Sequence, residues 1–131
     1  MILLFNLSQH PLLPVIKETA KDHHKVLRLI SPEENRLPIR ALLDPSDVRD
    51  PLMPKLAEDL IAPDSFDAPM MLFCKMKQDE ISSFVDRLRE LSNGGSARIL
   101  KAMLTPTNQN WTAPYLYAHL REEARMMRRN S

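Results

Sequence analysis

Two stretches of nearly continuous apolar residues, Ile2–Leu7 and Met70–Met76, open the two halves of this 131-residue chain. Runs of this kind are typical of strands that are covered on both faces of a sheet. Each run is followed by a segment with apolar residues at helical spacing, Leu12–His23 in the first half and Asp79–Leu91 in the second. The pattern of each half predicts the order strand, helix, strand, helix.

The two halves also resemble each other in sequence. Residues 2–7 align with residues 70–75 at an offset of 68, and Val26–Pro32 aligns with Leu100–Pro106 at an offset of 74. The difference of six corresponds to Ser92–Ala97, which contains both glycines of the chain and is typical of a loop insertion. We interpret this as an internal duplication, although α/β units also share hydrophobic patterns without common descent. The expected fold is α/β, with two pseudo-repeated strand-helix-strand-helix units forming a four-stranded sheet flanked by helices.

The region between the halves is rich in Pro and Asp. Its turn-forming residues are followed by Leu52–Ile61, where apolar residues recur every four positions and predict a short helix. We expect this connector, residues 44–68, to pack on the core and not to act as a free linker. The prediction is therefore one domain, 1–131, with internal halves of about 1–43 and 69–131.

Composition limits the classes of partner. Hydrophobic residues make up 44% of the chain and charged residues 27%, which is typical of a soluble globular protein. The net charge of +1 and an aromatic content of 5% predict neither nucleic acid nor a membrane surface as partner. Cys74 is the only cysteine, and the apolar N-terminus lacks a basic region and the length of a leader or spanning helix. We therefore expect a cytoplasmic protein.

The most conspicuous polar segment is TPTNQNWT, Thr105–Thr112. It follows the fourth predicted strand and precedes a predicted helix, Tyr115–Met127. Thr112 is the best candidate for the N-cap of that helix, because its hydroxyl can accept a backbone N–H. Trp111 then precedes the cap and Leu116 lies in the first turn, which is the arrangement of a hydrophobic staple.

The same segment supplies the candidate binding residues. In the alignment of the halves, Leu37 takes the place of Trp111, so an apolar residue here belongs to the shared framework. The polar residues beside it are not shared. They either satisfy the loop's own backbone or, above the end of a strand and before a helix, bind a small anion or nucleotide. The candidate ligand-binding residues are Thr107, Asn108, Asn110 and Trp111.

The stretches ILKAMLTPTNQNWT and LYAHLREEARMM, with MMLFCKM upstream, resemble the bacterial family called domain of unknown function 3783. The resemblance covers Pro69 to Met127. It implies an acidic patch on the last helix, which Glu122 and Glu123 would supply, and it implies no activity. The residues that match the family's loop are Thr105, Pro106, Thr107, Asn108, Asn110 and Trp111.

No catalytic or metal-binding arrangement is recognisable. Cys74 is expected to be a buried small apolar residue, and the four histidines lack metal-ligand spacing. His23 and His24 are interpreted as a solvated helix end. We expect no cofactor and no metal, and we regard an enzyme as the less favoured class. The leading hypothesis is a non-enzymatic module that binds a protein partner or its own copy, because the net charge is near zero and the C-terminal helix is rich in Met. The alternative is a ligand-binding or enzymatic domain that uses the Thr105–Thr112 loop.

Overall fold

The computed structural model describes residues 1–52 and 66–129 of the chain, with side chains as far as Met126. It confirms the α/β class and the four-stranded sheet flanked by helices. The strands are β1 (Ile2–Phe5), β2 (Leu27–Ile30), β3 (Met70–Phe73) and β4 (Leu100–Met103). The helices are α1 (Leu13–Asp22), α2 (Ile39–Leu43), α3 (Gln78–Leu91) and α4 (Ala113–Arg129), with short 3-10 helices at Pro32–Arg36, Gly95–Arg98 and Asn108–Asn110.

The described residues fall into two compact units. The first, here called the sheet unit, contains residues 1–32 and 67–104. The second, here called the helix unit, contains the described residues of 33–66 and 105–131. Organisation as a single domain stays a prediction. None of the helices in the described ranges is both long and apolar enough to cross a membrane.

The sheet has the order β2-β1-β3-β4, with parallel outer pairs and an antiparallel central pair. In the central pair Ile2 lies opposite Phe73, and Phe5 lies opposite Met70. The sequence offset of 68 makes Ile2 the counterpart of Met70 and Phe5 the counterpart of Phe73. Replacing each residue by its counterpart turns the pair Ile2–Phe73 into the pair Met70–Phe5, which is also observed. This is expected for two equivalent strand-helix-strand units that are related by a local twofold axis.

One detail of the predicted alignment is wrong. Ile2 lies opposite Leu27 in one parallel pair, and Met70 lies opposite Leu100 in the other. Leu27 is thus the counterpart of Leu100, at an offset of 73, and the predicted offset of 74 is shifted by one residue in these strands. The strands β2 and β4 lie at the sheet edges and are only partly buried, so their apolar pattern does not fix the register. The offset of 74 does hold where α2 and α4 begin, at Ile39 and Ala113.

The first and third strands are also shorter than predicted. The predictions extended to Leu7 and Met76, whereas β1 ends at Phe5 and β3 ends at Phe73. Asn6 follows β1 with φ of 59°, and Lys75 lies two residues beyond β3 with φ of 57°. A left-handed residue turns the chain out of the extended conformation although the apolar sequence continues. The predicted helices Leu12–His23 and Asp79–Leu91 agree with α1 and α3 to within one residue at each end.

The core of the sheet unit lies between one face of the sheet and the helices α1 and α3. Phe73 and Phe84 meet edge to face, with 5.8 Å between the ring centroids. The alternate residues of β1 and β3 are also fully buried, so both faces of the central strands are covered as the continuous apolar runs predict. The buried core residues are Ile2, Leu4, Leu7, Ile16, Ala20, Met71, Phe73, Ile81, Phe84, Leu88 and Ile99.

Both core helices end in the same way. His24 after α1 and Asn93 after α3 are left-handed, with φ of 55° and 52°. The next N–H reaches back into the helix in each case, from Lys25 to the Ala20 carbonyl at 2.8 Å and from Gly94 to the Arg89 carbonyl at 2.9 Å. This is the Schellman arrangement. The structural equivalence of the two halves therefore extends beyond the strands.

The turn chemistry predicted for the connector is confirmed where the structure describes it. The Asp44 carboxylate accepts the Ser46 N–H at 3.1 Å, and the Asp47 carboxylate accepts the Arg49 N–H at 3.2 Å, so two Asx turns follow one another. Of the predicted helix Leu52–Ile61, only Leu52 belongs to the described residues, and it is not helical. The rest of that prediction lies outside the described residues.

Candidate functional site

The loop between β4 and α4 is organised around Asn108. Its side-chain oxygen accepts the Thr105 N–H at 2.8 Å, and the Thr105 hydroxyl accepts the Asn108 N–H at 3.0 Å. Asn108 is buried, unlike most asparagines. This reciprocal pair satisfies two backbone donors in the way that a capping box does. The geometry therefore agrees with the structural interpretation of this residue.

The other polar candidates differ in their surroundings. The Asn110 side-chain oxygen accepts a hydrogen bond from Arg40 Nη1 at 3.2 Å, and its amide nitrogen donates to the Pro106 carbonyl at 3.3 Å. Thr107 is exposed, and its hydroxyl does not cap the 3-10 helix that follows. Asn108 is thus turned into the loop, Asn110 is joined to Arg40, and Thr107 faces solvent. A ligand-binding role for these residues stays a prediction.

Trp111 and Thr112 form the start of α4. The helix begins at Ala113, two residues earlier than predicted, because Pro114 is compatible with a first turn. The Thr112 hydroxyl accepts the Tyr115 N–H at 3.4 Å, which confirms its role as the N-cap. The buried Trp111 ring packs against Tyr115 and His119, with 4.9 Å between ring centroids in both pairs. Its Nε1 atom is buried and has no hydrogen-bond partner among the residues that the structure describes.

Arg40, a cation in the helix unit that was not predicted as a site residue, is only 5% exposed. Its guanidinium lies 3.3 Å from the Asp47 carboxylate and donates to Asn110 Oδ1 and to the carbonyls of Arg49 and Asp50. We call these five residues the Arg40 clamp. They join α2, the turn at residues 47–50 and the loop before α4. The only signal in the sequence was an arginine inside the apolar segment Ile39–Leu43.

The Asp47 carboxylate interacts with two arginines, Arg40 and Arg49. Exposed Arg49 binds the same carboxylate through two hydrogen bonds, at 3.0 and 2.7 Å. These bonds, with the Arg49 backbone N–H and the charge of Arg40, hold the pKa of Asp47 well below its usual range despite an opposing contribution from burial. The carboxylate therefore stays ionised at neutral pH and neutralises the buried Arg40 guanidinium.

Exposed apolar residues lie on the turn that Arg40 holds and beside it. The turn that Arg40 holds presents Val48, which is 89% exposed, and the neighbouring Leu52 and Leu37 are 65% and 36% exposed. We define the Val48 surface as Leu37, Val48, Pro51 and Leu52. It borders a cleft of about 240 Å³. The cleft is lined by Arg36, Leu37, Pro38, Ala41, Asp47, Val48, Arg49, Asp50 and Pro51.

Comparison with known proteins gives a family match for one segment of the chain. Residues 69–127 match a family model described as Domain of unknown function (DUF3783). We call residues 69–127 the DUF3783 segment. The match confirms the predicted resemblance, while the bacterial distribution stays a prediction. No curated protein and no solved structure matches the chain. The DUF3783 segment includes Asn110 and Trp111, whereas Arg40 and the Val48 surface precede it.

A second cleft, of about 280 Å³, lies in the sheet unit between α1 and the DUF3783 helix α3. His23 Nδ1 lies 3.0 Å from the Thr19 carbonyl, so this nitrogen is the donor, and Nε2 lies 3.3 Å from the Ser83 hydroxyl. Lys25 in the same cleft forms an ion pair with Glu80. His24 is exposed as predicted, whereas His23 is half-buried and its ring also packs on Phe84. The interaction attaches the end of α1 to α3.

Cys74, in the DUF3783 segment, lies directly after β3 and is fully buried. Burial raises the pKa of its thiol to about 11. The thiolate is the reactive form of cysteine, so this residue has the properties of a small apolar side chain, as predicted. Within residues 1–52 and 66–129, no three His, Cys, Asp or Glu side chains lie close enough together to hold a metal ion.

Proposed function

We propose that this protein is a small non-enzymatic α/β module of the cytoplasm that binds another protein through the Val48 surface. One observation carries the proposal: Val48 is 89% exposed although the turn that bears it is held by a buried guanidinium. An apolar side chain that is both fixed and exposed gains free energy when a partner covers it. Because the turn is already ordered, little conformational entropy is lost on binding.

The size of the neighbouring cleft favours a protein over a small molecule. Small-molecule sites usually enclose roughly 300 to 1,000 Å³. The cleft beside Val48 measures about 240 Å³ and is open, with apolar residues such as Pro38 and Ala41 in its lining. A cleft of this kind accommodates one apolar side chain of a partner, and buried anchors of this kind dominate the binding energy of many interfaces.

The alternative function is the binding of a small anion or nucleotide by the Thr105–Thr112 loop. The side-chain oxygens of Asn108 and Asn110 already accept hydrogen bonds from Thr105 and Arg40, so a ligand would have to compete with them. Leaving a buried donor unpaired costs about 1–3 kcal/mol. The protein-binding hypothesis requires no such exchange, and we favour it for that reason.

Site-specific photo-crosslinking tests the proposed function. A photoreactive amino acid at position 48 should give a discrete protein adduct in the source cells, and prior substitution of Leu37 by Asp should suppress it. The matched control carries the same amino acid at position 26, because Val26 is an exposed apolar residue of the sheet unit. No adduct at position 48, or equal adducts at both positions, would argue against the Val48 surface as a binding site.

A further inference from the structure

We propose that the protein bound at the Val48 surface is a second copy of this chain, arranged around a twofold axis. This inference rests on the proposed function and specifies the partner. In a twofold interface the same surface serves both copies, so every projection must find its depression on that same surface. The Val48 surface carries a projecting side chain beside a cleft, and charges of both signs line that cleft.

Shape complementarity comes from one projecting residue and one adjoining cleft. Val48 is almost fully exposed, and it borders the cleft whose lining includes Leu37, Pro38 and Ala41. In the proposed dimer, Val48 of each copy enters the cleft of the other. Two identical contacts then form at once, and both bury apolar side chains.

Charge complementarity comes from residues of both signs on the same cleft. Arg36 and Asp50 are exposed lining residues, and neither has an ion-pair partner within the part of the chain that the structure describes. Asp47 and Arg49 are already paired with each other. Arg36 of one copy and Asp50 of the other therefore remain to pair across the axis, again twice. An exclusively acidic or basic partner would match only one of these two charges.

Sedimentation equilibrium over a concentration series tests the inference directly. The wild-type chain should show a reversible monomer–dimer equilibrium, and Val48→Asp should raise the dissociation constant by about tenfold or more, as expected for a central anchor. The control Val26→Asp places the same charge on another exposed valine and should leave the equilibrium unchanged. Circular dichroism checks that both variants fold, which we expect because both side chains are exposed.

Charge reversal distinguishes a second copy from another partner. Arg36→Asp and Asp50→Arg should each weaken the dimer, and the two changes in one chain should restore it, because each reversed residue then faces a reversed partner. A wild-type chain that stays monomeric at every concentration, or a dimer that survives Val48→Asp, would overturn the inference. If the photo-crosslinked adduct at position 48 contains a different protein and the chain is monomeric, the proposed function stands and only self-association is refuted.

Discussion

Replacement of Arg40 by Met removes the buried cation of the helix unit. The change keeps a long apolar side chain at a buried position and removes a guanidinium that holds three segments of the helix unit together. We expect the variant to fold with a lower free energy of unfolding. We also expect weaker association through the Val48 surface, although Val48 itself is unchanged, because the turn that presents it loses its support.

The magnitude follows from the contacts of Arg40. Breaking a buried ion pair costs roughly 3–5 kcal/mol when it leaves the partner charge buried and unpaired. Here Asp47 keeps its two hydrogen bonds to Arg49, and the carbonyls of Arg49 and Asp50 lie on an exposed turn where water can replace the guanidinium. The Met side chain also buries apolar surface at this position, which offsets part of the loss in free energy. We therefore expect Arg40→Met to lower the free energy of unfolding by about 2–3 kcal/mol.

Urea titration monitored by tryptophan fluorescence measures this effect. Trp111 is the only tryptophan and lies in the helix unit with Arg40. The matched control is Arg49→Met, which removes an arginine from the same carboxylate at a position that is 71% exposed. Exposed ion pairs contribute little, so this variant should behave almost as wild type. Equal destabilisation by the two substitutions would show that the burial of Arg40 does not increase its contribution to stability. Faster hydrogen exchange at the Leu52 N–H in Arg40→Met alone would support it.

Four further predictions follow from single side chains. Asn108→Ala should lower the free energy of unfolding by about 1–2 kcal/mol because it removes a cap-like bond, whereas Thr107→Ala should have almost no effect; the reverse order in urea denaturation would contradict the loop geometry. Cys74 should react with a thiol reagent at pH 8 only as fast as the protein unfolds, since burial raises its pKa to about 11, and rapid labelling of native protein would contradict this. His24→Gly should raise the thermal midpoint, with a gain of about 0.5–1 kcal/mol, because it relieves a left-handed φ of 55°. The pKa of Asp47 is lowered on folding, so its contribution to stability is complete above the usual carboxylate pKa of about 4 and is lost as the pH falls towards the pKa of the folded state. Asp47→Asn should therefore reduce the loss of unfolding free energy between neutral and acidic pH, and an unchanged loss would refute the lowered pKa of Asp47.

The elements that could be predicted from the sequence are those fixed by local pattern. Apolar runs at Ile2 and Met70 predicted strands buried on both faces, and helical spacing predicted α1 and α3 almost to the residue. The cap at Thr112 was also predictable, since its hydroxyl bonds to a backbone N–H only three residues away. The DUF3783 resemblance pointed to the same loop, but a family of unknown function provides no mechanism.

The features that the sequence did not reveal depend on residues far apart in the chain. The register of β2 and β4 is set by hydrogen bonds to their neighbours, because half-buried edge strands carry a weak apolar signal. Arg40 and Asn110 are 70 positions apart, and neither shows in its local sequence that it will meet the other. The exposure of Val48 is likewise decided by the fold. Hydrophobic periodicity determined the secondary structure and the fold class, whereas tertiary structure alone decided which polar groups are buried together and which apolar groups stay exposed.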